Sequence, residues 1–109
     1  MKQFLLSTMF CVFASIVGMA QAPVNDICAN AIQLTVNGGY VSCNNSNTVT
    51  NAASPSCGGS TGIKDIWYSF VYTGGTVVVE TQLGTNTDTR IAVYTACGGT
   101  QLGCNDDYG

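Results

Sequence analysis

Histidine is absent from this 109-residue chain, and charge of either sign is scarce: Lys and Arg number three, Asp and Glu six. Without histidine, Ser-His-Asp and Cys-His catalytic arrangements and His-ligated zinc sites are excluded from these residues. The basic residues are Lys2, Lys64 and Arg90, which form no cluster. Neutralising nucleic-acid phosphates needs grouped Lys and Arg, so nucleic acid is not an expected partner, nor is an anionic membrane surface. No pair of cysteines has the C-x-x-C spacing of zinc or thioredoxin-type sites. Helix-favouring residues never sustain a 3.6-residue period, which removes the helical fold classes.

What is present begins with an export signal. Lys2 supplies a positive charge, Phe4 to Val17 is almost wholly apolar, and Gly18-Met19-Ala20 ends the run in small residues. This order is that of a secretory signal peptide spanning residues 1–20, with cleavage after Ala20. The run is shorter than the roughly 20 residues a bilayer span requires, so no membrane insertion is expected after signal removal. Residues 21–109 then form one domain, with two basic and six acidic side chains and a net charge of −4. A domain of this size buries only about 60–65% of its unfolded surface, so its core is marginal without covalent support.

Cysteine offers that support, because disulfides persist in exported proteins. Loss of Cys11 with the signal leaves five cysteines, an odd number. Cys28 and Cys43 flank the first expected hairpin, and Cys97 and Cys104 enclose a Gly-rich loop. Those two pairings are preferred among the arrangements five cysteines allow, leaving Cys57 unpaired in this stretch of chain. The Cys97–Cys104 bridge requires its loop to bulge out of strict hairpin register, since bridged Cα atoms lie within about 7 Å.

Short β-prone runs alternate with turn signals along the mature chain, the pattern of an all-β sandwich or barrel. Ala31 to Val36 is the first expected strand, turned by Asn37-Gly38-Gly39 into a return over Tyr40 to Cys43. A short strand near Thr48 to Ala52 is followed by an irregular loop. Asp65 to Tyr72 alternates Ile66, Tyr68, Phe70 and Tyr72 on one face with Trp67, Ser69 and Val71 on the other. Gly74-Gly75 should turn it into Thr76 to Gln82. Arg90 to Thr95 and Gln101 to Cys104 make the last expected hairpin.

Acidic and amide side chains gather around that hairpin. If it turns near Gly98-Gly99, Asp88 arrives near Asp107 and Tyr108, with Asn105 and Asp106 beside them. Calcium takes six to eight oxygens at roughly 2.3–2.6 Å, and Asn25 and Asp26 would add ligands if the N-terminal arm packs alongside. Calcium is therefore the candidate ion; the plainer reading is that Asn, Asp and Gly simply make turns. The adjacent Asp106 and Asp107 would point to opposite faces of an extended chain, which disfavours a paired-carboxylate hydrolase. No catalytic residue is assigned, and the chain is not expected to be an enzyme.

Four segments together resemble a known family. Pro23 to Leu34, Asp65-Ile66-Trp67-Tyr68-Ser69-Phe70, Asp88-Thr89 with Ala92-Val93-Tyr94, and Cys104-Asn105-Asp106-Asp107 follow the order of jelly-roll modules in secreted Bacteroidetes proteins. These are similar to bacterial pre-peptidase C-terminal domains and, more distantly, to the collagen-binding domains of clostridial collagenases. The resemblance implies an antiparallel β-sandwich of jelly-roll type, here lacking its last strands, in a parent that carries a type IX sorting domain. It implies a non-catalytic accessory or adhesion module of a secreted or cell-surface protein, binding an extracellular protein or glycan. It also makes Asn25, Asp26, Asp88 and Asp106 the calcium positions to test. The alternatives are a purely structural spacer, or a targeting appendage of a downstream secreted peptidase or hydrolase.

Overall fold

The computed structural model describes residues 21–50, 55–58, 63–85 and 87–106. The signal peptide, its cleavage at Ala20, and Asp107 lie outside the described residues. Pro23, extended at φ −60° and ψ 154°, leads the arm into a 3-10 turn over Val24–Asp26. The Asp26 N–H donates to the Pro23 carbonyl at 3.1 Å. A second 3-10 turn covers Cys28–Asn30, closed by Ala31 N–H donating to the Cys28 carbonyl at 3.1 Å. No described helix is long and apolar enough to cross a membrane.

The arm leads into β1 (Ile32–Gln33), which pairs in parallel with β2 (Tyr68–Ser69) in the register Ile32↔Tyr68 and Gln33↔Ser69. Ile32 N–H donates to the Trp67 carbonyl at 3.2 Å and Leu34 N–H to the Ser69 carbonyl at 2.7 Å. This corrects two expectations. The sheet is not wholly antiparallel, and β1 takes its partner from far downstream instead of from Tyr40 to Cys43. The turn after β1 does form: Gly38 N–H donates to the Thr35 carbonyl at 2.9 Å, and Asn37 has φ 61°. The chain beyond that turn does not come back to β1. Tyr40 reaches away to Glu80, and residues 44–48 make a turn of their own, with Ser46 N–H donating to Asn44 Oδ1 at 2.8 Å. A turn signal specifies a reversal; it does not specify which strand wins the exposed edge.

The second pair matches expectation. β3 (Ile91–Tyr94) and β4 (Gln101–Asn105) are antiparallel, with Ile91↔Asn105, Ala92↔Cys104, Val93↔Gly103 and Tyr94↔Gln101, and an irregularity between Val93 and Tyr94. Thr95 N–H donates to the Thr100 carbonyl at 3.0 Å, and Gly98 supplies the positive φ (68°) the turn requires. The Thr95 hydroxyl accepts from Thr100 N–H at 3.0 Å and braces the same turn.

The expected hairpin of Asp65–Tyr72 with Thr76–Gln82 forms only its turn. Gly74 and Gly75 have φ 109° and 84°, and the Tyr72 hydroxyl donates to the Gly75 carbonyl at 2.9 Å. Beyond the turn, no ladder is described over residues 76–82, and Val78 is 79% exposed. Alternation set Val77, Val79 and Thr81 against Val78 and Glu80, so it marked a strand-like segment without naming its partner.

Among the described residues no apolar side chain is fully buried; the two buried residues are polar, Asn25 and Thr48. The two strand pairs meet through Trp67, beside β2, and Tyr94 of β3, whose ring centroids lie 5.9 Å apart at 44°. Covalent bonds carry the rest. Cys28 is bridged to Cys97, with Cα atoms 5.7 Å apart, and Cys57 to Cys104, at 5.9 Å. Among the described residues Cys43 is the free thiol, and it is exposed.

This replaces the expected Cys28–Cys43 and Cys97–Cys104 bridges and the expected free Cys57. Cys104 lies opposite Ala92, three residues along β4 from the Tyr94↔Gln101 rung, while Cys97 lies in the turn beyond that rung. At about 3.3 Å per residue that span alone exceeds the reach of a disulfide. The Cys28–Cys43 pairing needed a return strand that does not form. The observed bridges span 69 and 47 residues. In the chain-entropy account each constrains the unfolded chain by about 4 kcal/mol. Peptide mapping under non-reducing conditions is expected to recover Cys28–Cys97 and Cys57–Cys104 as linked peptides and Cys43 as an alkylatable thiol; a Cys97–Cys104 peptide would contradict this fold.

Candidate functional site

The residues expected to gather around one ion are distributed over two places. Asn25, on the first 3-10 turn, is only 4% exposed. Its Nδ2 donates to the Trp67 carbonyl at 3.0 Å, while its own carbonyl accepts the Trp67 N–H at 2.8 Å. This two-point clasp fastens the N-terminal arm to the segment that becomes β2. It also satisfies an amide that would be costly to bury unpaired. The neighbouring Asp26 turns the other way, and its Oδ1 accepts the Val49 N–H at 3.0 Å. The Thr48 hydroxyl donates to the Asn45 carbonyl at 2.9 Å, and Asn45 Nδ2 donates to the Lys64 carbonyl at 3.2 Å. The Thr50 hydroxyl donates to the Ile63 carbonyl.

Tyr68 belongs to the same polar centre. Its phenol is pushed above the ordinary tyrosine value, first by burial and then by the Cys43 sulfur nearby, while a hydrogen bond with Asn25 acts in the opposite sense.

The other place is the open end of the β3–β4 hairpin. Arg90 precedes β3 and Asp106 follows β4, one rung beyond Ile91↔Asn105. Arg90 Nε donates to Asp106 Oδ1 at 2.9 Å and Nη2 to Oδ2 at 3.4 Å, with the two side chains 24% and 27% exposed. The 55–58 loop lies over this pair. Gly58 has φ 75°, and a Cβ there would collide with the Arg90 guanidinium and the Asp106 carboxylate. The loop is pinned by Cys57–Cys104 and by a side-chain exchange with β4, in which Ser56 N–H donates to Gln101 Oε1 at 3.0 Å and Gln101 Nε2 donates to the Ser56 hydroxyl.

Both oxygens of Asp106 are therefore directed at Arg90, and a cation there would have to displace the guanidinium. Asp88 and Asn105 are exposed. Among the described residues, no three His, Cys, Asp or Glu side chains converge as metal ligands. Sequence reasoning passed over Arg90, although the signal was available. With a reversal near Gly98-Gly99, antiparallel pairing brings Arg90 into the neighbourhood of Asp106 and Asp107, and opposite charges facing each other across a pair stabilise it.

Two exposed tyrosines complete the inventory. Tyr40 and Tyr72 are 66% and 62% exposed. The Tyr40 hydroxyl donates to Glu80 Oε1 at 3.1 Å, and that hydrogen bond, followed by the carboxylate's charge, raises the Tyr40 phenol above its ordinary value. Tyr72 is held to its own turn through Gly75. Both rings are thus restrained while remaining open to solvent. An open groove of about 300 Å3 runs beside β1, lined by Gln33, Leu34, Thr35, Val36, Val71 and Thr73.

Comparison with known proteins gives one result. Residues 24–109 match a family described as galactose binding domain-like and associated with the type IX secretion system. Searches of curated proteins and of solved structures return no match.

Gly58→Ala is expected to destabilise the domain by about 1–3 kcal/mol, through positive-φ strain and displacement of the ion pair. Asp106→Asn, which leaves the backbone untouched, should cost about 1 kcal/mol or less because the pair is partly exposed. Chemical denaturation of the oxidised protein reads both, and a Gly58→Ala cost no greater than that of Asp106→Asn would remove the loop from this role.

Proposed function

Because the chain belongs to this galactose-binding-domain-like family associated with type IX secretion, we propose that it is a non-catalytic accessory module of a secreted or cell-surface Bacteroidetes protein, binding an extracellular protein or glycan. Family membership over residues 24–109 is the observation that carries this reading. Its full architecture is read as a two-sheet jelly-roll sandwich, to which the β1–β2 and β3–β4 pairs belong.

The binding surface is assigned to the exposed tyrosines Tyr40, beside Glu80, and Tyr72. Restrained aromatic rings exposed to solvent suit a sugar face or an apolar side chain, because ordering them on binding costs little conformational entropy. Glu80 adds a hydrogen-bond acceptor beside Tyr40. Calcium enters as a stabilising ion only, drawing on Asp88 and Asn105 and competing with Arg90 for Asp106.

A glycan panel that includes galactose-terminated chains, together with collagen, tests the reading on the exported chain. Tyr72→Ala is expected to weaken binding about tenfold, or roughly 1.4 kcal/mol, while Tyr72→Phe keeps the ring and stays near wild type. Unaltered binding in Tyr72→Ala would move the surface elsewhere. Absence of binding across the panel would favour the spacer or targeting-appendage roles. Melting with calcium and with chelator tests the ion separately: equal melting temperatures would remove calcium and leave the module reading intact.

A further inference from the structure

Oxidation does more here than reinforce a finished fold. The two strand pairs are each minimal, β1–β2 with two residues per strand and β3–β4 with four and five. No described apolar side chain is fully buried to hold them together, and Val24, Val71, Val78 and Leu102 are each more than 60% exposed. Among the described residues, the chief contacts that tie the arm and the β1–β2 pair to the hairpin are Cys28–Cys97, from the N-terminal arm, and the Trp67–Tyr94 ring pair, from the segment beside β2. Between the 55–58 loop and the hairpin they are Cys57–Cys104 and the Ser56–Gln101 exchange. The non-covalent members of this set are one aromatic pair and exposed hydrogen bonds, worth too little to close loops of 69 and 47 residues.

We propose that the domain carries an oxidation-gated folding switch. With its cysteines reduced the chain has no docked hairpin and stays extended, the form an export signal needs for passage. Docking of β3–β4 onto the N-terminal arm comes after disulfide formation in an oxidising compartment. The oxidant is a protein of the dithiol–disulfide oxidoreductase class. One cysteine thiolate, Cys28 for example, attacks the oxidant's disulfide to give a mixed disulfide. The Cys97 thiolate then displaces the oxidant's sulfur. One protein S–S bond forms, and the electron pair and the equivalent of the two thiol protons end on the oxidant, whose own disulfide becomes a dithiol. Cys57 and Cys104 repeat the exchange.

The test uses protein exported from cells that make the whole precursor, in a Cys43→Ser background so that thiol exchange reads only the two bridges. Near-ultraviolet circular dichroism reports the Trp67–Tyr94 packing, and thermal unfolding reports cooperativity. The oxidised protein is expected to show an aromatic band and a cooperative melt. Dithiothreitol should abolish both, and reoxidation with a dithiol oxidase should restore them. A cooperative melt that survives reduction overturns the proposal, as does the absence of one in the oxidised protein. Paired substitutions divide the switch: Cys28→Ala with Cys97→Ala should lose the aromatic band, and retention of both band and melt would overturn the assignment of this bridge as the latch.

Discussion

Cys28 and Cys97 are 69 residues apart along the chain and 5.7 Å apart between Cα atoms, and the placement of nearly every other element depends on that closure. The bond joins the second 3-10 turn of the N-terminal arm to the tip of the β3–β4 hairpin. It thereby brings the β1–β2 pair and the hairpin to one body, where Trp67 and Tyr94 can meet. Cys57–Cys104 then lays the 55–58 loop along β4. Described residues with no fully buried apolar side chain gain from a restricted unfolded ensemble, because burial alone returns too little against conformational entropy.

Polar clasps supply the local order that apolar packing supplies elsewhere. Asn25 holds the arm to Trp67 with both its side chain and its backbone, and it is the most buried described residue. Arg90 and Asp106 close the open end of the hairpin under Gly58. Each clasp uses a residue type that would also serve as an ion ligand. Asp106 turns on Arg90 the oxygens a cation would use, and Asn25 spends its amide on a protein carbonyl, so composition alone does not separate the two uses.

A module built this way leaves several aromatic and aliphatic side chains toward solvent, among them Tyr40, Tyr72, Val78 and Leu102, and it rigidifies two of them through Tyr40–Glu80 and Tyr72–Gly75. That exposure suits the binding surface proposed for this module. The covalent clasps and the exposed surface are complementary features, since side chains not spent on a core remain free for contact.

The residue pattern by itself determined the all-β character, the reversal near Gly98-Gly99, the antiparallel pairing of β3 with β4 and the reversals at Asn37 and Gly74-Gly75. Each of these depends on period-2 alternation or on the positive φ that Gly and Asn accept, which are properties of a few adjacent residues. Only the tertiary structure decided that β1 lies parallel to β2, that Cys28 reaches Cys97 and Cys57 reaches Cys104, and that Asn25 and Asp106 bind protein partners. Those outcomes depend on which distant segment occupies an edge or a donor first. Alternation is the same for any partner strand, and a cysteine's spacing carries no record of the loop closed between it and its mate.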